Sequence, residues 1–310
     1  MKNSSYSFAW KGVMPAITTQ FTANNQLDTN AFCKNLHAQV NAGATGIILG
    51  GTLGEASTLT AQEKHTLVST TIKEVGKKAA VILNIAEQST EDAITAAKNA
   101  EKQGAHGLML LPPMRYKATD RETVTYFEAI ANATTLPIMI YNNPVDYKIE
   151  VTLDMFDALK VHKNINAVKE STRDITNVTR MRSRFGDRFA ILCGVDTLAM
   201  EALLMGADGW VAGLVDAYPE ETCAIYYYVK AGEIDKALAI YRWFMPLLEL
   251  DISPQLVQNI KLCEIATGLG TGHVRAPRLP LVGEEEKHVL EIIETAMNDR
   301  PEVSDYKKYL

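Results

Sequence analysis

Eight short apolar runs, separated by longer amphipathic stretches, set the narrowest limit on what this chain can fold into. They cover residues 13–21, 46–50, 80–86, 107–111, 137–141, 166–169, 189–193 and 210–214 and are rich in β-branched side chains. Runs that are apolar on both faces suit parallel strands covered by helices, because an antiparallel strand with one wet face alternates. The stretches between them open with helix-capping chemistry. Thr60 with Glu63 and Thr119 with Glu122 have capping-box spacing, and Ser89 with Asp92 is an acidic variant. Gly43, Gly76, Gly104, Gly186 and Gly206 fall near the far ends, where a left-handed cap favours glycine. A strand–helix unit recurring roughly every 25–30 residues, eight times over, closes naturally as a (β/α)8 TIM barrel of the α/β class. A doubly wound sheet is the competitor, but it usually has fewer units and a Gly-rich first turn that is missing here.

The barrel is expected over residues 1–216. Beyond it, residues 217–268 read as three helices broken at Gly232 and near Ser253-Pro254, and residues 284–298 as a last helix. No polar linker sets this part off, so residues 217–310 are expected to pack on the barrel as a C-terminal helical appendage within one structural unit. The length of 310 residues would on average suggest two domains. α/β barrels, however, routinely keep about 250 residues or more in one.

A net charge of −6 and the lack of a basic stripe leave nothing for nucleic acid to find. The N-terminus MKNSSYSFAWKGV lacks the apolar centre of a signal peptide, and no run approaches about 18 apolar residues. A cytoplasmic protein without a membrane span is expected. Cys33, Cys193, Cys223 and Cys263 form no CxxC pair and read as small buried hydrophobes in a reducing compartment. The histidines form neither HxH nor HExxH, so neither a metal nor a cofactor is expected.

Chemistry in such a barrel sits at the C-terminal ends of the strands. Lys169 ends the sixth run, and no other lysine falls inside a run. Burial disfavours an ammonium and lowers its pKa from about 10.4, which turns an amine into a nucleophile near neutrality. By position alone Lys169 reads equally as a strand-end lysine paired with Glu170 in solvent. Tyr141 closes the fifth run in PIMIYNNP. Its phenol could pass protons between lysine, substrate and solvent, or it could simply pack. The second run ends in GGTLGEAST, where two glycines and Thr52 could make a nest of N–H and hydroxyl groups for a carboxylate. An ordinary Gly-rich loop is the alternative. No Gly-Lys-Ser/Thr follows, and GLGTG at 268–272 comes after a helix, so neither is a nucleotide loop. Gly194-Val195-Asp196 and residues 209–213 bring small side chains to the mouth, leaving room for a ligand or fitting a tapering barrel.

Taken in order, GTLGE, YNNP, VKES, GVD and GWVAGL resemble the dihydrodipicolinate synthase / N-acetylneuraminate lyase superfamily, over about residues 9–300. The resemblance implies that Lys169 forms a Schiff base with a small 2-oxo or cyclic 2-imino acid and that Tyr141 relays protons. Thr52 and Leu53 match the loop that binds the substrate carboxylate. Val211 matches the position whose carbonyl contacts the tyrosine, and Gly194 is placed with them at the substrate. A homotetramer built from tight dimers is also implied.

Three departures bear on the substrate. The lysine-biosynthesis member usually has a second threonine where this chain has Leu53. It carries a tyrosine that reaches the neighbouring subunit's site where this chain has Pro112-Pro113-Met114-Arg115. It places an arginine after YNxP where this chain has Val145-Asp146-Tyr147. The segments LPPMRY, YRWFMPLLELD and VRAPRLPL resemble the Δ1-pyrroline-4-hydroxy-2-carboxylate deaminase branch of hydroxyproline catabolism. That likeness implies release of ammonia and 2-oxoglutarate semialdehyde. The alternatives are 4-hydroxy-tetrahydrodipicolinate synthase, a 2-keto-3-deoxy sugar acid aldolase or dehydratase, and a non-catalytic small-acid binding protein on the same barrel.

Overall fold

The computed structural model describes residues 8–113 and 116–310. Eight parallel strands form the sheet: β1 (Gly12–Pro15), β2 (Gly46–Leu49), β3 (Ala80–Ile85), β4 (Gly107–Leu110), β5 (Ile138–Asn142), β6 (Ile165–Glu170), β7 (Ala190–Cys193) and β8 (Gly209–Ala212). From β2 to β8 each pairs with its sequence neighbour, and β1 pairs with β8. The ring closes at an Ala16–Ile48 bridge, where the Ile17 N–H donates to the Ile48 carbonyl at 3.1 Å. This is the (β/α)8 barrel that the eight runs implied.

The crossovers are α1 (Thr29–Ala42), α2 (Ala61–Val75), α3 (Thr90–Gln103), α4 (Asp120–Ala131), the short α5 (Pro144–Tyr147), α6 (Leu153–Leu159), α7 (Thr176–Phe185) and α8 (Ala199–Leu204). Thr60–Glu63 and Thr119–Glu122 are reciprocal capping boxes, and Gly43 ends α1 in the left-handed region with φ 103°. The C-terminal part holds α9 (Pro219–Ala231), α10 (Ile234–Leu248), α11 (Leu256–Thr267) and α12 (Gly283–Asn298). α9 lies against the barrel wall: the Tyr226 hydroxyl donates to the Asp208 carbonyl and the Tyr227 hydroxyl to that of Gly43. Among the described residues, no helix is long and apolar enough to cross a membrane.

Strand side chains alternate between two cores. Met14, Ile48, Ile82, Met109 and Met139 fill the barrel interior, while Val13, Ile47, Val81, Ile140 and Val168 pack outward against the helices. Trp10 belongs to the interior cluster and donates its indole N–H to Asn166 at 2.7 Å. By the same alternation, Ala167 points inward, so Lys169 does too. This parity places an amine in the barrel.

β1 is shorter than the apolar run 13–21. Thr18 and Gln20 leave the sheet to satisfy buried carboxylates: the Thr18 N–H donates to Asp216 at 2.8 Å and the Gln20 amide to Glu264 at 2.9 Å. α5 and a terminal 3-10 turn at Ser304–Tyr309 were not foreshadowed by periodicity.

Candidate active site

Lys169 and Tyr141 are register partners on β6 and β5. The amine lies 4.1 Å from the centroid of the Tyr141 ring. Lys169 is 7% exposed, and among the described residues no carboxylate comes within ion-pairing distance of it. Burial pushes its amine below the ordinary lysine range, partly opposed by Tyr147, Asp251 and Asp196. Glu170 faces the other way, accepting from the Thr172 N–H at 2.8 Å and from the Asn177 amide at 2.7 Å. The solvent pairing of Lys169 with Glu170 is therefore not formed.

The YNNP sequence explains its own geometry. Tyr141 turns inward with the odd positions of β5. Asn142 turns outward and staples the next loop, donating to the Val151 carbonyl at 3.1 Å and accepting from its N–H at 2.9 Å. Asn143 caps α5, accepting from the Asp146 N–H at 3.1 Å, and Pro144 takes the first helical position. The Asn143 amide also donates to the Tyr141 hydroxyl at 3.1 Å. Burial pushes the Tyr141 phenol up to about 12, so it stays protonated at neutral pH.

The β2 loop lies beside them. Among the described residues, the N–H groups of Thr52 and Leu53 donate to no protein acceptor. Four ties hold the loop: Asn84 donates to the Gly50 carbonyl, Thr19 to that of Gly54, and Lys261 and the Arg275 N–H to Glu55. The Thr52 hydroxyl is 2.5 Å from that of Tyr147. Leu53 and Val211 are buried and line the cleft. At Gly194 a Cβ would come within 2.5 Å of Lys169 Cε and 2.2 Å of Ser171 Oγ, so only glycine lets the lysine lie as it does. All six residues expected at the site thus border one cleft of ≈ 460 Å³, a size suited to a small molecule.

Sequence reasoning missed several neighbours. Asp196 of GVD is buried and accepts from the Trp210 indole and from the Gly213 and Leu214 N–H groups, tying the ends of β7 and β8 together. Asp251 comes from the appendage, in the turn after α10, and lines the same cleft. Desolvation, then the charge of Asp196, pushes its carboxyl well above the usual range. Arg173, at the rim, sits in the left-handed region with φ 64°. Tyr147 stood in the sequence only as a departure from the arginine position. Its signal was the Asn143-Pro144 helix start, which swings it back toward Tyr141.

Fold and cleft together define the class: a (β/α)8-barrel lyase of the Schiff-base type. Residues 9–296 match the model of the dihydrodipicolinate synthetase family, and the chain belongs to that family. The 4-hydroxy-tetrahydrodipicolinate synthase of Exiguobacterium sibiricum is 32% identical over 286 residues, covering 92% of this chain and 97% of that one. The enzyme of the same name from Moorella thermoacetica is 32% identical over 294 residues, covering 93% and 99%. Among solved structures, the 4-hydroxy-tetrahydrodipicolinate synthase of Methylacidiphilum fumariolicum SolV superposes with a TM-score of 0.87 at 28% identity, over 94% of this chain and 98% of that one. These relatives carry the synthase name, not that of a deaminase.

Proposed function

We propose that Lys169 adds to C2 of a small 2-oxo or cyclic 2-imino acid and holds it as an imine, with Tyr141 carrying protons. One observation carries this reading: a buried amine without a carboxylate partner, lying over a protonated phenol. The neutral amine forms the C–N bond, and the oxygen of a 2-oxo acid leaves as water with the amine's two hydrogens. Tyr141 hands a proton to that oxygen and is restored from the amine. The protonated imine then draws electrons from C3, which can lose a proton and attack an electrophile. The free N–H groups of Thr52 and Leu53 suit the substrate carboxylate.

At substrate level, the relatives' names support condensation of pyruvate with aspartate semialdehyde. A second reading, cyclic-imine deamination, is favoured by Asp146 and Tyr147, which stand where the synthase places an arginine for the aldehyde's carboxylate. In that reading Lys169 displaces the ring nitrogen of Δ1-pyrroline-4-hydroxy-2-carboxylate from C2. The C3 proton and the 4-hydroxyl leave as water. Two waters then release the lysine and the amine, giving ammonia and 2-oxoglutarate semialdehyde. The homotetramer belongs to the same proposal and is checked by sedimentation.

Side-by-side turnover separates the readings. Pyruvate-dependent consumption of aspartate semialdehyde supports the synthase, and ammonia release from the 4-hydroxy cyclic imine supports the deaminase. Cleavage or dehydration of a 2-keto-3-deoxy sugar acid would point to the third group. Tight substrate binding with no turnover on any of them would leave the small-acid binding protein.

A further inference from the structure

Tyr147 is held in the cleft by more than packing. Asn143 caps the single turn of α5, and Lys148 reverses the chain after it with φ 62°. The turn lays the Tyr147 ring edge-on against that of Tyr141, with centroids 5.5 Å apart and planes at 81°. Its hydroxyl meets the Thr52 hydroxyl, 95 residues away in the chain, at 2.5 Å. Burial, followed by the neighbouring Tyr141, pushes this phenol well above the ordinary tyrosine range. The ring contact needs no oxygen, and phenylalanine would make it equally well. A phenol here puts one exchangeable proton on the loop whose N–H groups are free, within electrostatic reach of Lys169.

We propose that Tyr147 and Thr52 form a second proton path at the Lys169 adduct, so that both phenols of the site come from one chain. The proposal rests on the imine reading above. The atom departing from C2 takes up two protons and the Lys169 nitrogen sheds two. Tyr141 supplies the first as the C–N bond forms and is restored from the amine. As that atom leaves, the Thr52 hydroxyl gives it the second and takes one from Tyr147, which the second proton of the Lys169 nitrogen restores, so none is consumed overall. Tyr141 is then available for the proton that leaves or joins C3.

The test uses the full-length protein with whichever substrate it turns over, alongside trapping of the adduct by borohydride. Tyr147→Phe keeps the ring and removes the proton. The expected result is a fall in kcat of about 10²-fold with little change in KM and an unchanged melting temperature. Thr52→Val should lower kcat to a similar extent while also raising KM. The double variant should have a kcat no lower than the worse single, because the two hydroxyls act in series. Trapping on Lys169 should reach the wild-type extent more slowly. Tyr116→Phe, an exposed tyrosine on the β4 loop, should turn over normally. A Tyr147→Phe kcat within about threefold of wild type, multiplicative losses in the double variant, or a loss in Tyr116→Phe instead would each overturn the path. Lack of any adduct in the wild type would sink the imine reading itself, a separate failure.

Discussion

Among the described residues two lysines are buried, one at the barrel mouth and one on α11, and their company separates them. Lys261 is fully enclosed and donates to Glu55 at 2.7 Å and to the His273 carbonyl at 2.6 Å. The other Glu55 oxygen accepts from the Arg275 N–H at 3.0 Å. Lys169 lies against an aromatic ring with no carboxylate in ion-pairing reach. Burial lowers both amines; at Lys261 it is opposed by Glu55 in direct contact, at Lys169 by Tyr147, Asp251 and Asp196, none of them hydrogen-bonded to the amine. Desolvation with a partner makes a structural tie, here from α11 to the β2 loop. Desolvation without one leaves a lone pair available to a carbonyl.

Substitution should separate the two sites sharply. Lys169→Ala should cost about 10⁴-fold or more in turnover without lowering the melting temperature. A variant that keeps turnover within about tenfold would place the nucleophile elsewhere. Lys261→Met strands Glu55 and should cost about 3–5 kcal/mol in urea unfolding, with Lys261→Met/Glu55→Gln recovering part of it. An unfolding midpoint unmoved by the single change would mean that the pair ties nothing. Gly194→Ala drives a methyl into Lys169 and Ser171. It should cost about 1–3 kcal/mol of stability and slow imine formation, whereas wild-type trapping rates would show that Lys169 has room to spare.

The smallest effect is on pH. An amine whose pKa is lowered on folding binds fewer protons folded than unfolded between that value and the ordinary lysine range, so stability rises with pH across that window. Lys169→Met should therefore be more stable than the wild type at neutral pH, with the gap narrowing as pH rises toward the ordinary lysine range. Lys261→Met should differ in the opposite sense at neutral pH. Over the same window kcat/KM should fall as pH is lowered, because the nucleophile takes up a proton. A flat profile for both quantities would count against an unpaired amine.

Much of this was legible in the sequence because it depends on local period. Parity with Ala167 fixes the inward direction of Lys169, and the capping boxes at Thr60 and Thr119 fix where two helices begin. What stayed hidden depends on partners distant in sequence. In NIKLCEI, Lys261 reads as an ordinary helix lysine, since Glu55 stands more than 200 residues earlier. Asp251 reads as a residue in a helix break until the fold carries that break over the cleft. Tyr147 fell in the gap between a motif and its expected arginine, and only the α5 turn reveals its contact with Thr52.

Borohydride reduction of the intact protein in the presence of pyruvate or the cyclic imine, followed by peptide mapping, tests the central claim most directly. One adduct per chain is expected, on the peptide carrying Lys169, with the Lys261 peptide unmodified. No adduct, or one on any other lysine while the Lys169 peptide stays intact, would contradict it.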